Sequence, residues 1–325
     1  MRAVRVARHG GPEVLEVVDV PDPAPGPGQL LVRVSAAGVN FMDVYARRGM
    51  GLYARPTPFI PGGEGAGRVV GVGSGVRGFH DGDRVAWKQA AGSYAELAVV
   101  DAAEAVPVPD GVTDEIAAAV LLQGITAHFL ATSTYPVRAG ESVVVHAAAG
   151  GVGLLLTQVV KIRDGRVIGT VSTAAKEVAA RAAGADEVIS YAEEPFAPAV
   201  RSLTGGEGAA AVYDGVGQAT FEGSLASLRP RGYLVLFGAA SGPVPPFDLQ
   251  RLNPAGSLYV TRPHIGHYTR TREELLSRCS DLFGWIAAGR LDVRIGGRYP
   301  LTDAARAHAD IESRATMGKL LLLPG

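Results

Sequence analysis

The residues of this chain best suited to chemistry lie between Ser142 and Gly153, reading S-V-V-V-H-A-A-A-G-G-V-G. A β-branched run, Val143 to Val145, stops at tiny residues, and an apolar, helix-like run, Leu154 to Val160, follows at once. Strand, tight turn and helix in that order form the phosphate cradle of a dinucleotide-binding unit. Gly150, Gly151, Val152 and Gly153 let the backbone approach a pyrophosphate, and the helix N-terminus supplies N–H groups with partial positive charge. Against G-x-G-x-x-G the first glycine is Ala148, while Gly150 and Gly153 stand at the second and third positions.

The next strand-like run, Arg166 to Val171, ends in Ser172-Thr173-Ala174-Ala175-Lys176. An NAD site carries an Asp or Glu about 20 residues past the turn to bind the ribose hydroxyls. Here the acid is missing. Ser172 and Thr173 can donate to a 2′-phosphate and Lys176 adds positive charge, which predicts NADPH. Tyr191, just past the third strand, can reach the same phosphate.

Other chemistries are narrowed by what is absent from the chain. A single cysteine, Cys279, permits no internal disulfide and no zinc site needing several thiolates. No Ser-His-Asp constellation competes. The formal net charge of −1 gives no reason to expect nucleic acid or an anionic membrane as the main partner. The opening residues lack the apolar core of a signal peptide. The apolar stretch from Val143 to Val160 is interrupted by His146, three glycines and Gln158, so it is not read as a membrane span. A reducing cytoplasm is the expected compartment.

The elements that must position these residues change rhythm along the chain. At 325 residues two domains are expected. The first third reads as short β-prone runs at 3–6, 15–20, 30–36, 67–72, 84–87 and 94–100, split by Gly/Pro turns. That spacing predicts a compact, partly open β-barrel. Thr113-Asp-Glu-Ile opens a helix, and Gln123-Gly124 predicts a break or an interdomain bend, with Thr126 to Ser133 helical again. From Ser142 six strands (143–147, 166–171, 186–190, 209–213, 232–237, 257–261) alternate with helices at 151–163, 174–183, 195–203 and 217–227. This alternation predicts a doubly wound parallel sheet. After Pro263 two helices, 271–288 and 302–313 with Thr302 as cap, precede a final strand at 319–323. The α/β chain is therefore divided into a domain built from 1–124 and 264–325, with a nucleotide-binding domain at 125–263 inserted.

Taken together, Gly38-Val-Asn-Phe-Met-Asp43, Pro61-Gly-Gly-Glu-Gly-Ala-Gly67, Gln123-Gly-Ile-Thr-Ala-His128, His146–Gly153 and Ser313-Arg-Ala-Thr316 give the chain a resemblance along essentially its whole length. It resembles the zinc-independent quinone oxidoreductases of the medium-chain dehydrogenase/reductase superfamily, the zeta-crystallin-like group. The resemblance implies a GroES-like catalytic domain from both termini and a Rossmann domain between them. Zinc-dependent relatives carry a Cys near the position of Asn40 and a His in a G-H-E stretch that here reads Gly62-Gly63-Glu64. Glu64 itself reads as a loop carboxylate with a structural hydrogen bond.

The resemblance also implies roles. Asn40, Asp43 and Tyr45 match a stretch lining the nicotinamide end, and Thr126 matches a threonine near the nicotinamide. Lys176, Tyr191 and Arg314 match residues around the 2′-phosphate. Phe237, Gly238 and Ala239 follow the fifth strand, where the family's backbone meets the nicotinamide; the family often has a polar residue at the position of Ala239. Asn40 and Asp43 also read as a capped turn, and Tyr45 and Tyr53 as a flat surface suited to a planar quinone. The expected reaction is reduction of a quinone by NADPH, with Asn40, Tyr45 or Tyr53 donating to the charged oxygen. The nearest rival is reduction of activated C=C bonds in enones or alkenals. A rival of another class is an RNA-binding protein on the nucleotide fold, against which the charge balance argues. The strand at 257–261 is expected to form a sheet edge that pairs in a homodimer.

Overall fold

The structure is a computed structural model that describes residues 1–191 and 195–325. Along the chain, the first elements are β1 (Arg2–Val6), β2 (Leu15–Asp19), β3 (Gln29–Val39), α1 (Phe41–Arg48), β4 (Glu64–Val72), β5 (Arg84–Trp87), β6 (Leu97–Asp101), β7 (Val106–Pro107) and α2 (Asp114–Phe129). Strands and helices then alternate as far as β12: β8 (Ser142–Val145), α3 (Gly151–Ile162), β9 (Arg166–Val171), α4 (Ala174–Ala182), β10 (Glu187–Ser190), α5 (Phe196–Leu203), β11 (Ala209–Asp214), α6 (Phe221–Ala226) and β12 (Leu228–Leu236), with β13 (Tyr259–Thr261) following through a 3-10 turn. The chain closes with α7 (Arg272–Ala287), β14 (Ile295–Pro300), α8 (Ala304–Glu312) and β15 (Lys319–Leu323).

Two compact units result. The first comprises Met1–Gln123, Thr271–Ala287 and Val293–Gly325. Its main sheet runs β14-β15-β3-β4-β5-β7, with β6 also paired to β3. The long strand β3 carries β4 on one side, and on the other β6 at its start and β15 at its end. Register shifts between Leu31/Val32 and Val34/Ala36 bend it. The sheet therefore curls without closing on itself among the described residues, as a partly open barrel does. Val32, Val34, Val69, Val85, Trp87, Leu320 and Leu322 fill the interior.

The second unit comprises Gly124–Arg270 and Ala288–Asp292. Its six strands run β10-β9-β8-β11-β12-β13, all parallel. Ile168, Val144, Val212 and Leu234 are register partners across the sheet and pack with Val200, Phe221 and Leu225 of α5 and α6. Each such fully buried aliphatic side chain contributes about 1.5–3 kcal/mol.

Several expectations need correction. The boundary between the two units does fall at Gln123-Gly124, but the helix does not break there: α2 runs through Gly124 and continues as a π-helical turn, Leu130–Thr134. Ile125, Ala127, Leu130 and Ala131 are fully buried, and packing on all sides overrides the ~1 kcal/mol helix cost of one glycine. The segment Asp114–Thr134 is long and apolar enough to cross a bilayer, yet 72% of its apolar 18-residue window is buried inside the protein, as befits a core helix. Residues 264–270 belong with the second unit, where Tyr268 stacks on Phe129 at 4.3 Å. Thr302 does not cap α8; Leu301–Asp303 forms a 3-10 turn and Asp303 occupies the cap position. The turn after Asn40 extends into the helix α1. Strand β14, parallel to β15, had no clear β signature in Ile-Gly-Gly-Arg-Tyr-Pro.

Candidate active site

In the second unit the carboxyl ends of β8, β9 and β12 carry the expected nucleotide-binding residues. Past β8, Ala147 takes a left-handed φ of 50°. Its carbonyl accepts from Gly150 N–H at 2.8 Å, closing the turn, and Gly150 becomes the cap of α3. A Cβ on Gly153 would lie 2.3 Å from Ala147 O and 2.8 Å from Ala148 Cα. Only glycine lets the first turn of α3 lie against the loop, leaving its N–H groups facing outward for a phosphate. Ala148, at the first glycine position, is matched by Gly169 on β9: a Cβ there would stand 2.9 Å from the Ala148 methyl.

At the end of β9, Thr173 caps α4 by accepting from Lys176 N–H at 3.3 Å. The Lys176 ammonium donates to Ser172 Oγ at 3.1 Å. Ser172, Thr173 and Lys176 thus form one cradle. The nearby acid, Glu177, is turned to Arg181 at 2.8 Å. Tyr191 joins this edge through its N–H, which donates to Val171 O at 3.1 Å, and its side chain is exposed. Phe237 and Gly238 follow β12 with both N–H groups directed to Asp214 O. A Cβ on Gly238 would lie 2.3 Å from Gly215 O, so these two strand ends need glycine to approach. Ala239 continues that turn. Thr126 stands half-buried on α2, one helical turn before Leu130. Arg314 lies in the first unit, past α8, with a φ of 57°.

A buried polar network behind these strand ends was not foreseen. Asp214 accepts from Val216 N–H, Gly217 N–H, Thr220 Oγ1 and Ser224 Oγ at 2.7–2.9 Å. Ser224 in turn meets His146 Nε2 at 3.0 Å, and His146 Nδ1 meets Thr170 Oγ1 at 2.8 Å. Because Ser224 gives its proton to Asp214, it accepts from Nε2–H, and the Thr170 hydroxyl donates to Nδ1. Burial holds the His146 pKa below its usual value despite the charge of Asp214. The imidazole is neutral and ties β8, β9 and α6 together. The sequence signal was a polar residue closing each apolar strand: His146, Thr170 and Asp214.

The first unit holds the other group of candidates. Asn40 ends β3 and caps α1 in a reciprocal box with Asp43, whose Oδ2 accepts from Asn40 N–H at 2.9 Å. The Asn40 amide is fully committed. Its Nδ2 donates to Glu64 Oε2 at 3.0 Å and Gly38 O at 3.3 Å, and its Oδ1 accepts from Lys319 Nζ at 2.7 Å. This removes Asn40 as a free donor to a substrate oxygen. Glu64 opens β4 instead of lying in a loop. It accepts from Leu122 N–H at 2.6 Å and pairs with Lys319 at 2.5 Å, both side chains being essentially inaccessible.

Asp43 extends the network. Tyr94 O–H donates to its Oδ2 at 3.0 Å, and Tyr94 also meets His308 Nε2 at 3.1 Å. Arg47 can only donate, so its 3.1 Å contact makes His308 Nδ1 an acceptor and leaves the proton on Nε2. Arg47 also pairs with Glu312 through two bonds of 2.9 and 3.0 Å. Burial raises the Asp43 pKa to about 6, partly offset by the bonds from Asn40 and Tyr94. Burial, aided by Arg47, pushes His308 down to about 3. Arg47, Tyr94, His308 and Lys319 escaped sequence reasoning. A lysine opening the otherwise apolar run Lys319-Leu-Leu-Leu-Leu was the available clue, since a buried ammonium requires a partner.

Along α1 the rings of Phe41 and Tyr45 lie 6.2 Å apart, and Tyr45 lies 5.4 Å from Tyr53. The two tyrosines thus share one aromatic surface, Tyr53 half-buried on the 3-10 turn Gly51–Tyr53. No group of three or more His, Cys, Asp or Glu side chains among the described residues is placed to hold a metal ion.

Comparison with known proteins fits this geometry. Residues 26–110 match the alcohol dehydrogenase GroES-like domain, and residues 151–281 match the domain described as zinc-binding dehydrogenase. A quinone oxidoreductase of Pseudomonas aeruginosa is 46% identical over 99% of both chains. The crystal structure of Escherichia coli quinone oxidoreductase complexed with NADPH is 43% identical over 100% of both chains, with a TM-score of 0.97. A mycobacterial protein complexed with NADPH is 53% identical over 100% of both chains, with a TM-score of 0.96. The chain belongs to the quinone oxidoreductase family of the medium-chain dehydrogenase/reductase superfamily.

Proposed function

We propose that this protein reduces quinones with NADPH and without zinc. The observation that carries the cofactor choice is the Ser172–Lys176 contact at the end of β9, where hydroxyl and ammonium converge. Gly150, Gly151, Val152 and Gly153 hold the pyrophosphate, and Ser172, Thr173, Lys176, Tyr191 and Arg314 the 2′-phosphate. Thr126, Phe237, Gly238 and Ala239 face the nicotinamide. Bound NADPH supplies the hydride.

The remaining work falls to the first unit. Charge develops on the quinone oxygen and calls for a hydrogen-bond donor. Tyr53 is the donor in this reading, because its hydroxyl makes no hydrogen bond among the described residues, while both amide N–H groups of Asn40 are engaged. Tyr45 supports the planar ring. Asn40 and Asp43 are positioning residues that fix the start of α1. Solvent supplies the proton that completes the hydroquinone.

The edge strand β13 pairs on one side only, and Tyr259 and Val260 are 50% and 38% exposed. This supports a homodimer formed along that edge. The one cysteine, Cys279, is a free buried thiol, which suits a cytoplasmic enzyme. The test is a panel of ortho-quinones, para-quinones and enones with NADPH. Turnover of quinones is expected, and turnover of enones alone would replace this reading with alkene reduction.

A further inference from the structure

A cavity of about 1040 Å³ in the second unit lies away from the nucleotide turn. Glu141 precedes β8, Glu207 precedes β11, Arg229 and Arg231 stand at the start of β12, and Tyr259 opens β13. All these strands are parallel, and the glycine turn and the Ser172 cradle follow strand ends. The cavity therefore lies at the opposite end of the sheet.

Its chemistry is that of an anion site with an aromatic floor. Four arginines line it against two glutamates. One glutamate is spent internally: Glu141 accepts from Arg229 at 2.7 Å and from Tyr135 at 2.9 Å. Arg201 donates to the carbonyls of Gly206, Glu207, Ala226 and Leu228 and forms no ion pair among the described residues. The guanidinium groups of Arg138 and Arg231 make no hydrogen bond or ion pair among the described residues.

Two further features point to a ligand. Thr134 ends the π-helical turn on the cavity wall, and its Oγ1 is buried with no partner among the described residues. A buried orphan hydroxyl is costly unless something else satisfies it. Arg231 is held at a φ of 59°, a left-handed conformation that costs any residue with a Cβ, by its N–H bond to Gly256 O at 2.7 Å. Beside these groups Tyr135, Tyr233 and Tyr259 form a row, with ring centroids 5.1 and 4.4 Å apart, the second pair stacked.

We propose that this cavity is a second ligand site, for a planar aromatic anion of nucleoside-monophosphate size. Arg138 and Arg231 bind the anionic group, Thr134 donates to it, and Tyr135 and Tyr233 supply the aromatic contact, with Tyr259 left to the dimer edge. The site is separate from the dinucleotide cradle and can be filled at the same time.

Calorimetric titration of the NADPH-saturated protein, in its native oligomeric state, with adenosine 5′-monophosphate tests the proposal. One equivalent is expected to bind per chain. The exposed pair Arg138→Ala/Arg231→Ala should weaken it about tenfold or more, with an unchanged thermal midpoint and unchanged NADPH affinity. Adenosine alone and inorganic phosphate alone should each bind more weakly than the monophosphate. Absence of binding, or binding that Lys176→Ala abolishes and the arginine pair does not, would overturn it. Phosphate binding as tightly as the monophosphate would remove the aromatic part of the proposal, and adenosine doing so would remove the anionic part.

Discussion

Lys319 Nζ lies 2.7 Å from Asn40 Oδ1, so one buried ammonium from the last strand sets the orientation of an amide at the end of β3. The same ammonium pairs with Glu64, and the Asn40 amide then donates to that carboxylate. Removing the ammonium leaves a carboxylate buried without its counter-charge. Lys319→Met should cost about 3–5 kcal/mol in urea denaturation. Adding Glu64→Gln should recover a large part of the loss, because the uncompensated charge goes with it. A double variant no more stable than Lys319→Met would mean that shape, and not charge, governs this site.

His308 and Asp43 respond to acid in opposite senses. His308 titrates at about 3 in the fold against 6.5 when unperturbed, so the stability it contributes is present above pH 6.5 and lost as pH falls toward 3. Asp43 is raised from 3.8 to about 6, so its protonated form is favoured and stability is lost as pH rises from about 4 through 6. In His308→Gln the Asp43 effect remains, together with the acid sensitivity of the other buried imidazole, His146. The variant should have a lower thermal midpoint at pH 7, and it should lose less stability between pH 6.5 and 4 than the unmodified protein. A decline parallel to that of the unmodified protein would count against a buried neutral His308.

The glycine turn makes a steric prediction. A methyl at position 153 meets Ala147 O at 2.3 Å, and that oxygen is backbone that also holds Gly150. Gly153→Ala should destabilise the protein by about 1–3 kcal/mol and weaken NADPH binding beyond the loss seen for NADPH-independent stability. Thermal midpoints with and without saturating NADPH check both: the ligand-induced rise should shrink in the variant.

Much of this was legible because periodicity and local chemistry coincide. Val143–Val145 followed by Ala147–Gly153 can hardly be anything but strand, turn and helix, and Ser172-Thr173 at the head of α4 combines a helix cap with a phosphate donor pair. What was hidden depends on residues far apart in the chain. Lys319 gains meaning from Glu64 255 positions away, and His308 from Arg47 261 positions away. Gly124 looked like a helix stop because its propensity is local, whereas the burial of Ile125 and Ala127 that keeps α2 intact is tertiary. Strand β14 is stabilised by its ladder to β15 and not by the composition of Ile-Gly-Gly-Arg-Tyr-Pro.

We assign the cofactor choice of this quinone reductase to Ser172 and Lys176. The ratio of kcat/KM for NADPH to that for NADH, with one para-quinone at saturation, in the unmodified protein and in Lys176→Ala, tests the assignment. A strong preference for NADPH is expected, falling roughly 10–100-fold in the variant through the loss of about 1.5–3 kcal/mol of charged hydrogen bonding, with kcat/KM for NADH nearly unchanged. Equal use of the two cofactors by the unmodified protein, or an equal loss for both in Lys176→Ala, would contradict it.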